Sequence, residues 1–223
     1  MISVVVPVYN EEKTLERTLS ELTRQLGSHE LICVDGGSGD RSVEIARRFG
    51  KVVRSEKGRA VQMNRGAAEA KGETLLFLPA DCVLERGALQ AVEEAVARGG
   101  VGGCLTQRIQ GGRLLFRTME LSGNVRARWF RIFYGDQAIF VKRPLFQELG
   151  GFPSAPLFED VAFTRRLRRA GRTVVLRNHV YTSARRWERG GILKECFRNW
   201  CLLGLYALGV SPARLARFYP DVR

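Results

Sequence analysis

The stretch Leu31-Ile32-Cys33-Val34-Asp35-Gly36-Gly37-Ser38-Gly39-Asp40 joins a short apolar run to a carboxylate and a glycine-rich turn. A brief apolar run bounded by such a turn is typical of a buried strand. Similar runs occur at Ile2–Val6, Lys51–Val53 and Thr74–Leu78. Segments with helical periodicity or composition separate them, so the sequence predicts an α/β fold with a mostly parallel sheet and helices on both faces.

The predicted helices of the first half are Glu11–Leu26, Arg41–Phe49 and Ala60–Ala70. In the second half we expect strands at Cys104–Ile109, Ala138–Val141 and Thr173–Leu176, and helices at Arg113–Phe133, Asp160–Ala170 and Gly191–Leu208. No repeat, low-complexity segment or linker interrupts the chain, so residues 1–223 are predicted to form a single domain.

Three polar residues, Tyr9, Asp35 and Asp81, fall just past the ends of predicted strands. In sheets of this kind, ligands bind beyond the carboxyl ends of the strands. Asp35 is suited to accept hydrogen bonds from a base or a ribose, or else to cap the next helix. Asp81 is suited to bind Mg²⁺ or Mn²⁺ through its oxygens, or else to be an ordinary turn residue.

Each further candidate residue for the site can also be explained by an ordinary structural role. Asp160 either caps its helix or acts as a general base. Arg59 either pairs with a phosphate or is a solvated arginine. The segment Arg185-Arg186-Trp187 suits diphosphate binding and stacking, or is a packed surface tryptophan between solvated charges. His29 and His179 are isolated and are read as structural residues.

The amino-acid composition indicates which kinds of ligand or surface the chain would bind. The 36 Lys and Arg residues outnumber the 23 Asp and Glu residues, and the net charge of +13 favours anionic ligands or surfaces. Zinc-finger spacings and basic-aromatic repeats are absent from the sequence, so nucleic acid is not a predicted partner.

Five cysteines without a CxxC pair favour a reducing, cytoplasmic compartment. The longest late apolar stretch, Cys201–Val210, is shorter than the ~20 residues of a membrane span.

Together, several ordered motifs resemble the inverting glycosyltransferases of family 2, which have the Rossmann-like GT-A fold. The matching stretches are Val6–Glu11, Val34–Asp40, Gly58-Arg59-Ala60 with Asn64 and Gly66, Phe77–Asp81, Gly150-Gly151-Phe152, Glu159-Asp160 and Arg166-Leu167. The likeness runs from Ile2 to about Gly171. Arg185-Arg186-Trp187 and Tyr206–Gly209 add a closer likeness to the small arsenosugar-biosynthesis or selenodomain-associated subgroup.

The resemblance implies a nucleotide-binding half at about 1–100 and an acceptor half at about 101–223. Pro7, Tyr9, Glu11, Asp35 and Arg59 would hold the nucleoside of a nucleotide sugar, UDP-linked by likeness. Asp81 would bind the divalent metal, Mn²⁺ or Mg²⁺, and Asp160 would deprotonate the acceptor. The remaining candidates for the acceptor or the diphosphate are Asp136, Gln137, Glu159, Arg186 and Trp187.

Two departures from the family pattern qualify these roles. Pro79 stands where the family's Asp-x-Asp motif has its first aspartate, so metal binding is expected to be weaker. The Gln-x-x-Arg-Trp motif of processive members is replaced by Ser183-Ala184-Arg185-Arg186-Trp187. We therefore expect a non-processive enzyme that acts on a small or lipid-linked acceptor.

Two other functions compete with this one. A nucleotidyltransferase shares such a sheet, but it usually needs a glycine- and lysine-rich loop where Pro7–Glu11 stands. An inactive nucleotide-sugar-binding or membrane-surface module is the non-enzymatic alternative. The helix at 191–208 would then contact a membrane peripherally, at the inner face, or a second copy of the chain, although its ordinary role is in the core.

Overall fold

The computed structural model describes residues 1–219, apart from the side chains of residues 186, 189 and 193. Eight strands form one sheet in the order β3-β2-β1-β4-β7-β6-β8-β5. The strands are β1 (Ile2–Val8), β2 (His29–Asp35), β3 (Lys51–Arg54), β4 (Thr74–Phe77), β5 (Cys82–Leu84), β6 (Gly102–Ile109), β7 (Ile139–Lys142) and β8 (Thr173–Thr182). The predicted α/β fold is confirmed.

The helices that cover this sheet connect most of its strands. They are α1 (Leu15–Thr23), α2 (Ser42–Arg47), α3 (Arg59–Ala68), α4 (Ala88–Ala97), α5 (Leu114–Phe130), α6 (Arg143–Glu148), α7 (Glu159–Ala170), α8 (Arg185–Gly190), α9 (Ile192–Ala207) and α10 (Pro212–Ala216), with a 3-10 turn at Gly135–Gln137. None of the helices within residues 1–219 is long and apolar enough to cross a membrane.

The first four strands run parallel, as the sequence predicts. β1 pairs in parallel with both β2 and β4, and β2 pairs in parallel with β3. The register sets Val8 opposite Asp35, so both strands end at the same edge. The loops that follow β1 and β2 therefore meet at one place.

The second half adds antiparallel pairs. β7 lies antiparallel between β4 and β6, and β5 is antiparallel to β8. β6 begins at Gly102, two residues before its predicted start. A Cβ on Gly103 would collide with the carbonyl of Val174 in β8, so only glycine permits this close approach.

The core has one layer on each face of the sheet. Along β1, Val4, Val6 and Val8 pack with α1, α2 and α4, whereas Val5 packs with α3, α6 and α7. This alternation is the period of two expected for a strand that is buried on both faces. Burying each valine stabilises the fold by about 1.5–3 kcal/mol.

Candidate active site

The loop after β2 is built around Asp35. Its carboxylate accepts hydrogen bonds from the backbone N–H groups of Gly37 (3.2 Å) and Ser38 (3.0 Å), and the residue is 4% exposed. Nearby, the Gln62 side-chain amide donates to the carbonyls of Val8 and Val34 at 2.7 and 2.8 Å, which holds the two strand ends together. The carboxylate thus fixes the turn at a strand end where a ligand is expected.

The loops after β1 and β2 are joined by reciprocal hydrogen bonds. The Asn10 N–H donates to Ser38 Oγ (3.0 Å), and the Gly39 N–H donates to Asn10 Oδ1 (2.9 Å). Asn10 takes a left-handed backbone conformation, which asparagine tolerates better than most residues. The Lys57 ammonium lies 4.2 Å from the centre of the Tyr9 ring. Tyr9 and Asp35 thus flank one edge, with Pro7 buried in β1.

A second group of charges links β1, β4 and the start of α8. Arg185 donates to both Glu11 oxygens, at 2.9 and 3.2 Å, and its guanidinium lies 3.8 Å from the Asp81 carboxylate. The Glu11 side chain is only 3% exposed, whereas Arg185 and Asp81 are 27% and 29% exposed. The arginine therefore brings positive charge to the strand end that carries Asp81.

A divalent metal would find one carboxylate here. Within residues 1–219, no group of three or more His, Cys, Asp or Glu side chains is arranged to hold an ion. Mg²⁺ is, however, commonly held by one or two carboxylates together with the phosphates of a substrate. The partly exposed Asp81 fits a metal that arrives with a diphosphate, and it does not form a complete metal site by itself.

Asp160 lies at the start of α7. One oxygen accepts the N–H of Gly135 at 2.7 Å, and the other accepts the N–H of Val161 at 2.7 Å. Phe158, which immediately precedes α7, has a left-handed φ of 61°, which is unfavourable for a bulky side chain. Such backbone strain is often found at functional sites.

Arg59 lies against this carboxylate and its neighbours. Its Nε is 3.6 Å from Glu159, and its guanidinium occupies the space that a side chain at Gly135 would need. Burial lowers the pKa of Arg59, but Glu159, Asp160 and Asp136 outweigh it and raise the pKa above its ordinary value. The fixed charge of Arg59 thus compensates three carboxylates, which we call the carboxylate cluster.

Asp136 is the least satisfied member of that cluster. Oδ2 accepts a hydrogen bond from Gln107 Nε2 at 2.6 Å, whereas Oδ1 is buried without a hydrogen-bond partner. Burial raises the pKa of Asp136, and the charge of Asp160 adds to the increase, against the opposing effects of Arg126 and Arg59. A group from a ligand could supply the missing hydrogen bond.

The buried thiol of Cys82 connects the cluster with the end of β4. Its pKa is raised well above the ordinary value by burial and further by the charges of Asp81 and Asp136, while Arg59 opposes them. The charges of Asp81, the predicted metal residue, and of Asp136 and Arg59 thus all act on this one buried thiol.

The remaining candidates have different surroundings. Gln137 is fully buried and accepts hydrogen bonds from Arg126 (2.9 Å) and the Tyr134 N–H (3.1 Å), so it holds the 3-10 turn that presents Asp136. Trp187 packs beside Phe116, and its buried Nε1 has no hydrogen-bond partner. The Arg186 side chain lies outside the described residues.

Two side-chain contacts of these carboxylates are not predictable from the sequence. The segment Arg185-Arg186-Trp187 is a predicted diphosphate candidate, but the pairing of Arg185 with Glu11 spans 174 residues and no local pattern indicates it. Gln107, which holds Asp136, is an unremarked polar residue of β6. Arg59, predicted for the nucleoside, lies against the carboxylate cluster, and a role at the nucleoside stays a prediction.

Comparison with known proteins identifies the family of the chain. The model of glycosyl transferase family 2 matches residues 3–152. Glycosyltransferase AglE of Haloferax volcanii is 27% identical over 222 residues, which cover 88% of this chain and 71% of AglE. The chain spans half or less of several other curated relatives.

Solved structures share the fold at low identity. TarS 1–349 of S. aureus in complex with UDP has a TM-score of 0.67 and 21% identity, over 82% of this chain and 60% of that one. The mannosyltransferase PcManGT of Pyrobaculum calidifontis, in complex with GDP-Man and Mn²⁺, has a TM-score of 0.63 and 23% identity, over 81% and 56%. With the family match and the predicted GT-A-type sheet both in place, the chain belongs to glycosyl transferase family 2.

Proposed function

We propose that this chain transfers a sugar from a nucleoside-diphosphate sugar to an acceptor hydroxyl with inversion, and that Asp160 is the general base. The observation that carries the proposal is the position of Asp160. It is anchored at the start of α7 by the Gly135 N–H at 2.7 Å and lies beside Arg59, whose charge also acts on the Cys82 thiol next to Asp81.

The reaction follows from these positions. Asp160 takes the proton of the acceptor hydroxyl, and the acceptor oxygen forms a bond to the anomeric carbon. The bond from that carbon to the diphosphate breaks on the opposite face, which inverts the centre, and the nucleoside diphosphate leaves. Arg59 places one fixed positive charge beside the carboxylate cluster to which the base belongs.

The leaving diphosphate is assigned to the group at the end of β4. Asp81 would hold the metal, Mn²⁺ or Mg²⁺, which when bound would offset the charge that develops on the diphosphate. Arg185, 3.8 Å from Asp81, adds charge at the same end. We assign the nucleoside to Pro7, Tyr9, Glu11 and Asp35, and the acceptor side to Asp136 and Trp187.

The donor is proposed to be UDP-linked, and the acceptor small or lipid-linked. The TarS structures were solved with UDP and UDP-GlcNAc, and PcManGT was solved with GDP-Man, so the donor panel must include both nucleotides. The closer likeness to the arsenosugar or selenodomain-associated subgroup stays a prediction, as does the division into two functional halves.

The test combines binding and product analysis. Thermal shift with UDP- and GDP-sugars, with and without Mn²⁺, identifies the donor and measures metal dependence. Release of nucleoside diphosphate, together with an inverted anomeric centre by NMR, supports the proposal. Release of inorganic diphosphate would instead indicate a nucleotidyltransferase, and donor binding without transfer or hydrolysis would indicate an inactive module.

A further inference from the structure

Exposed apolar side chains are concentrated on two helices. Of the thirteen exposed large hydrophobic residues that the structure describes, nine lie on α5, on α9 or directly after α9. They include Leu114, Leu121 and Trp129 on α5, and Phe197, Trp200 and Leu208 on or next to α9; each of these six is at least 65% exposed. Soluble surfaces usually carry such residues singly, so this concentration indicates an interaction surface.

The two helices meet at their buried faces. Phe116 and Met119 of α5 share a small apolar cluster with Trp187, Ile192 and Cys196 of α8 and α9. The two helices are therefore neighbours near their N-terminal ends, and their exposed apolar residues lie on adjacent helices. We call them together the α5–α9 face.

On α5, on α9 and in the segment after α9 the exposed charges have one sign, whereas the intervening α8 carries one exposed acid, Glu188. In the described side chains of 113–131 and 191–219, the only acidic residues are Glu120 and Glu195, and both are buried and paired with arginines. The exposed charges in these two segments are all basic: Arg113, Arg128, Arg131, Lys194, Arg214 and Arg217. The face thus combines tryptophan, phenylalanine and leucine with positive charge.

We propose that the α5–α9 face docks the chain on an anionic lipid surface. Basic helices with exposed aromatic and leucine side chains bind in the headgroup region of anionic membranes. Tryptophan is favoured at that depth because its ring is amphipathic. This inference goes beyond the proposed function and does not depend on the acceptor being a lipid.

Two other occupants are less consistent with these residues. A symmetric contact with a second copy would set one row of arginines against the same row on its partner. Single-stranded nucleic acid binds through stacked aromatic rings and basic side chains, but the leucines of this face have no ring to stack on bases. Charge and side-chain type together favour lipid.

The first experiment measures co-sedimentation with vesicles. We expect binding to phosphatidylglycerol mixed with phosphatidylcholine, little binding to phosphatidylcholine alone, and weakening at about 0.5 M salt. Replacing Trp129, Phe197 and Trp200 by serine should reduce partitioning at least about tenfold. Matched controls on other surfaces are Leu26→Ser, at a residue that is 52% exposed, and Arg86→Gln, both of which should leave binding unchanged.

A second measurement needs no destabilising variant. Brominated lipids should quench the fluorescence of the wild-type chain, and the quenching should be lost when Trp129 and Trp200 are both replaced by phenylalanine. Trp187→Phe should retain it, since that ring is partly buried in the apolar cluster. Equal binding to neutral vesicles, or quenching that survives without Trp129 and Trp200, would overturn the proposal.

Solution assays cover the other occupants. Sedimentation velocity should show a monomer without lipid, and a single-stranded oligonucleotide should not bind at moderate salt. A dimer or an oligonucleotide complex that the triple serine variant abolishes would assign the face to that partner instead. Donor hydrolysis or transfer is assayed without vesicles, so failure to dock is distinguishable from failure of the proposed function.

Discussion

The loop around Asp35 and the start of α7 around Asp160 differ in how completely their polar groups are hydrogen-bonded. Asp35 closes its own turn through the N–H groups of Gly37 and Ser38, and the neighbouring loop is bonded to it through Asn10. Around Asp160, by contrast, buried atoms of Arg59 and Asp136 lack hydrogen bonds. The first region is complete without a ligand, whereas the second retains unsatisfied polar groups.

This difference suggests a division of labour. A loop whose hydrogen bonds are already made keeps its shape, which favours recognition of a constant part of the substrate such as a nucleoside. Unsatisfied buried groups carry a cost of about 1–3 kcal/mol each and are retained where they take part in function. We therefore place binding on the Asp35 side and proton transfer on the Asp160 side.

The largest expected effect tests that division directly. Asp160→Asn should reduce transfer by about 10²–10⁴-fold, because the amide cannot take up the acceptor proton. The amide oxygen can still accept the Gly135 N–H, so donor binding should be nearly unchanged. Activity assays and donor titration by calorimetry measure the two quantities separately.

The adjacent carboxylate supplies the control for this variant. Glu159→Gln weakens the ion pair with Arg59 but leaves Asp160 in place, so we expect a reduction of only about tenfold. Unchanged turnover in Asp160→Asn, or an equal loss in the two variants, would remove the distinction between base and neighbour.

The ion pair between Arg185 and Glu11 should give the next largest effect. Arg185→Met removes the two hydrogen bonds that Arg185 Nη2 donates to the buried Glu11, and we expect destabilisation by about 1–3 kcal/mol in urea unfolding. In a Glu11→Gln background the same substitution should cost less, since no buried charge then depends on the arginine. Arg24→Met, in an exposed pair with Glu21, should change stability by less than about 1 kcal/mol. Equal costs in both backgrounds would show that Glu11 and Arg185 are not coupled.

A smaller effect concerns pH on the Asp160 side. Because burial raises the folded-state pKa of Asp136 above its ordinary 3.8, ionising it costs stability as pH rises from 3.8 through the folded pKa. Asp136→Asn should therefore be more stable than the wild type at neutral pH, and this advantage should vanish below pH 3.8. Urea midpoints measured from about pH 3 to about pH 7 provide the test. An asparagine variant that is less stable at neutral pH would contradict it.

The smallest effect is the opposite pH response on the Asp35 side. Burial alone would raise the pKa of Asp40, but hydrogen bonds from Ser42 and the Glu12 N–H outweigh burial and lower it. Its contribution to stability is thus present above pH 3.8 and is lost as pH falls through the lowered folded value. Asp40→Asn should be less stable at neutral pH, with the difference shrinking in acid. If the stability of both asparagine variants, relative to the wild type, changed with pH in the same direction, the two regions would not differ in this respect.

The sequence predicts one region better than the other for a physical reason. Asp35 follows a short apolar strand, and the chain-local pattern places it at the sheet edge. The Asp160 side depends on contacts that close over long distances in the chain, such as Gln107 with Asp136 and Asn64 with Phe152. The backbone conformation there is equally hard to predict from the sequence. Ala138 and Phe158 take left-handed φ values, which usually occur at glycine.

The differences between the predicted and the observed ends of strands and helices have the same cause. The strand predicted at Thr173–Leu176 extends to Thr182, because β6 resumes its pairing at His179 after an irregularity and β5 pairs with the last three residues. The helix predicted from Glu11 begins only at Leu15, since the intervening backbone is used to bond the loop after β2. Both differences come from neighbours that local periodicity does not contain.

The contacts of Phe158, whose backbone is left-handed, affect the order in which the chain can fold during synthesis. Its ring stacks on Tyr206 of α9 at 4.9 Å, and Leu157 beside it packs on Leu202 and Leu215. On the ribosome, the sheet and all three cluster carboxylates are synthesised before α9 emerges. The packing behind Asp160, the proposed base, is therefore completed only after the sheet and the carboxylate cluster have been synthesised.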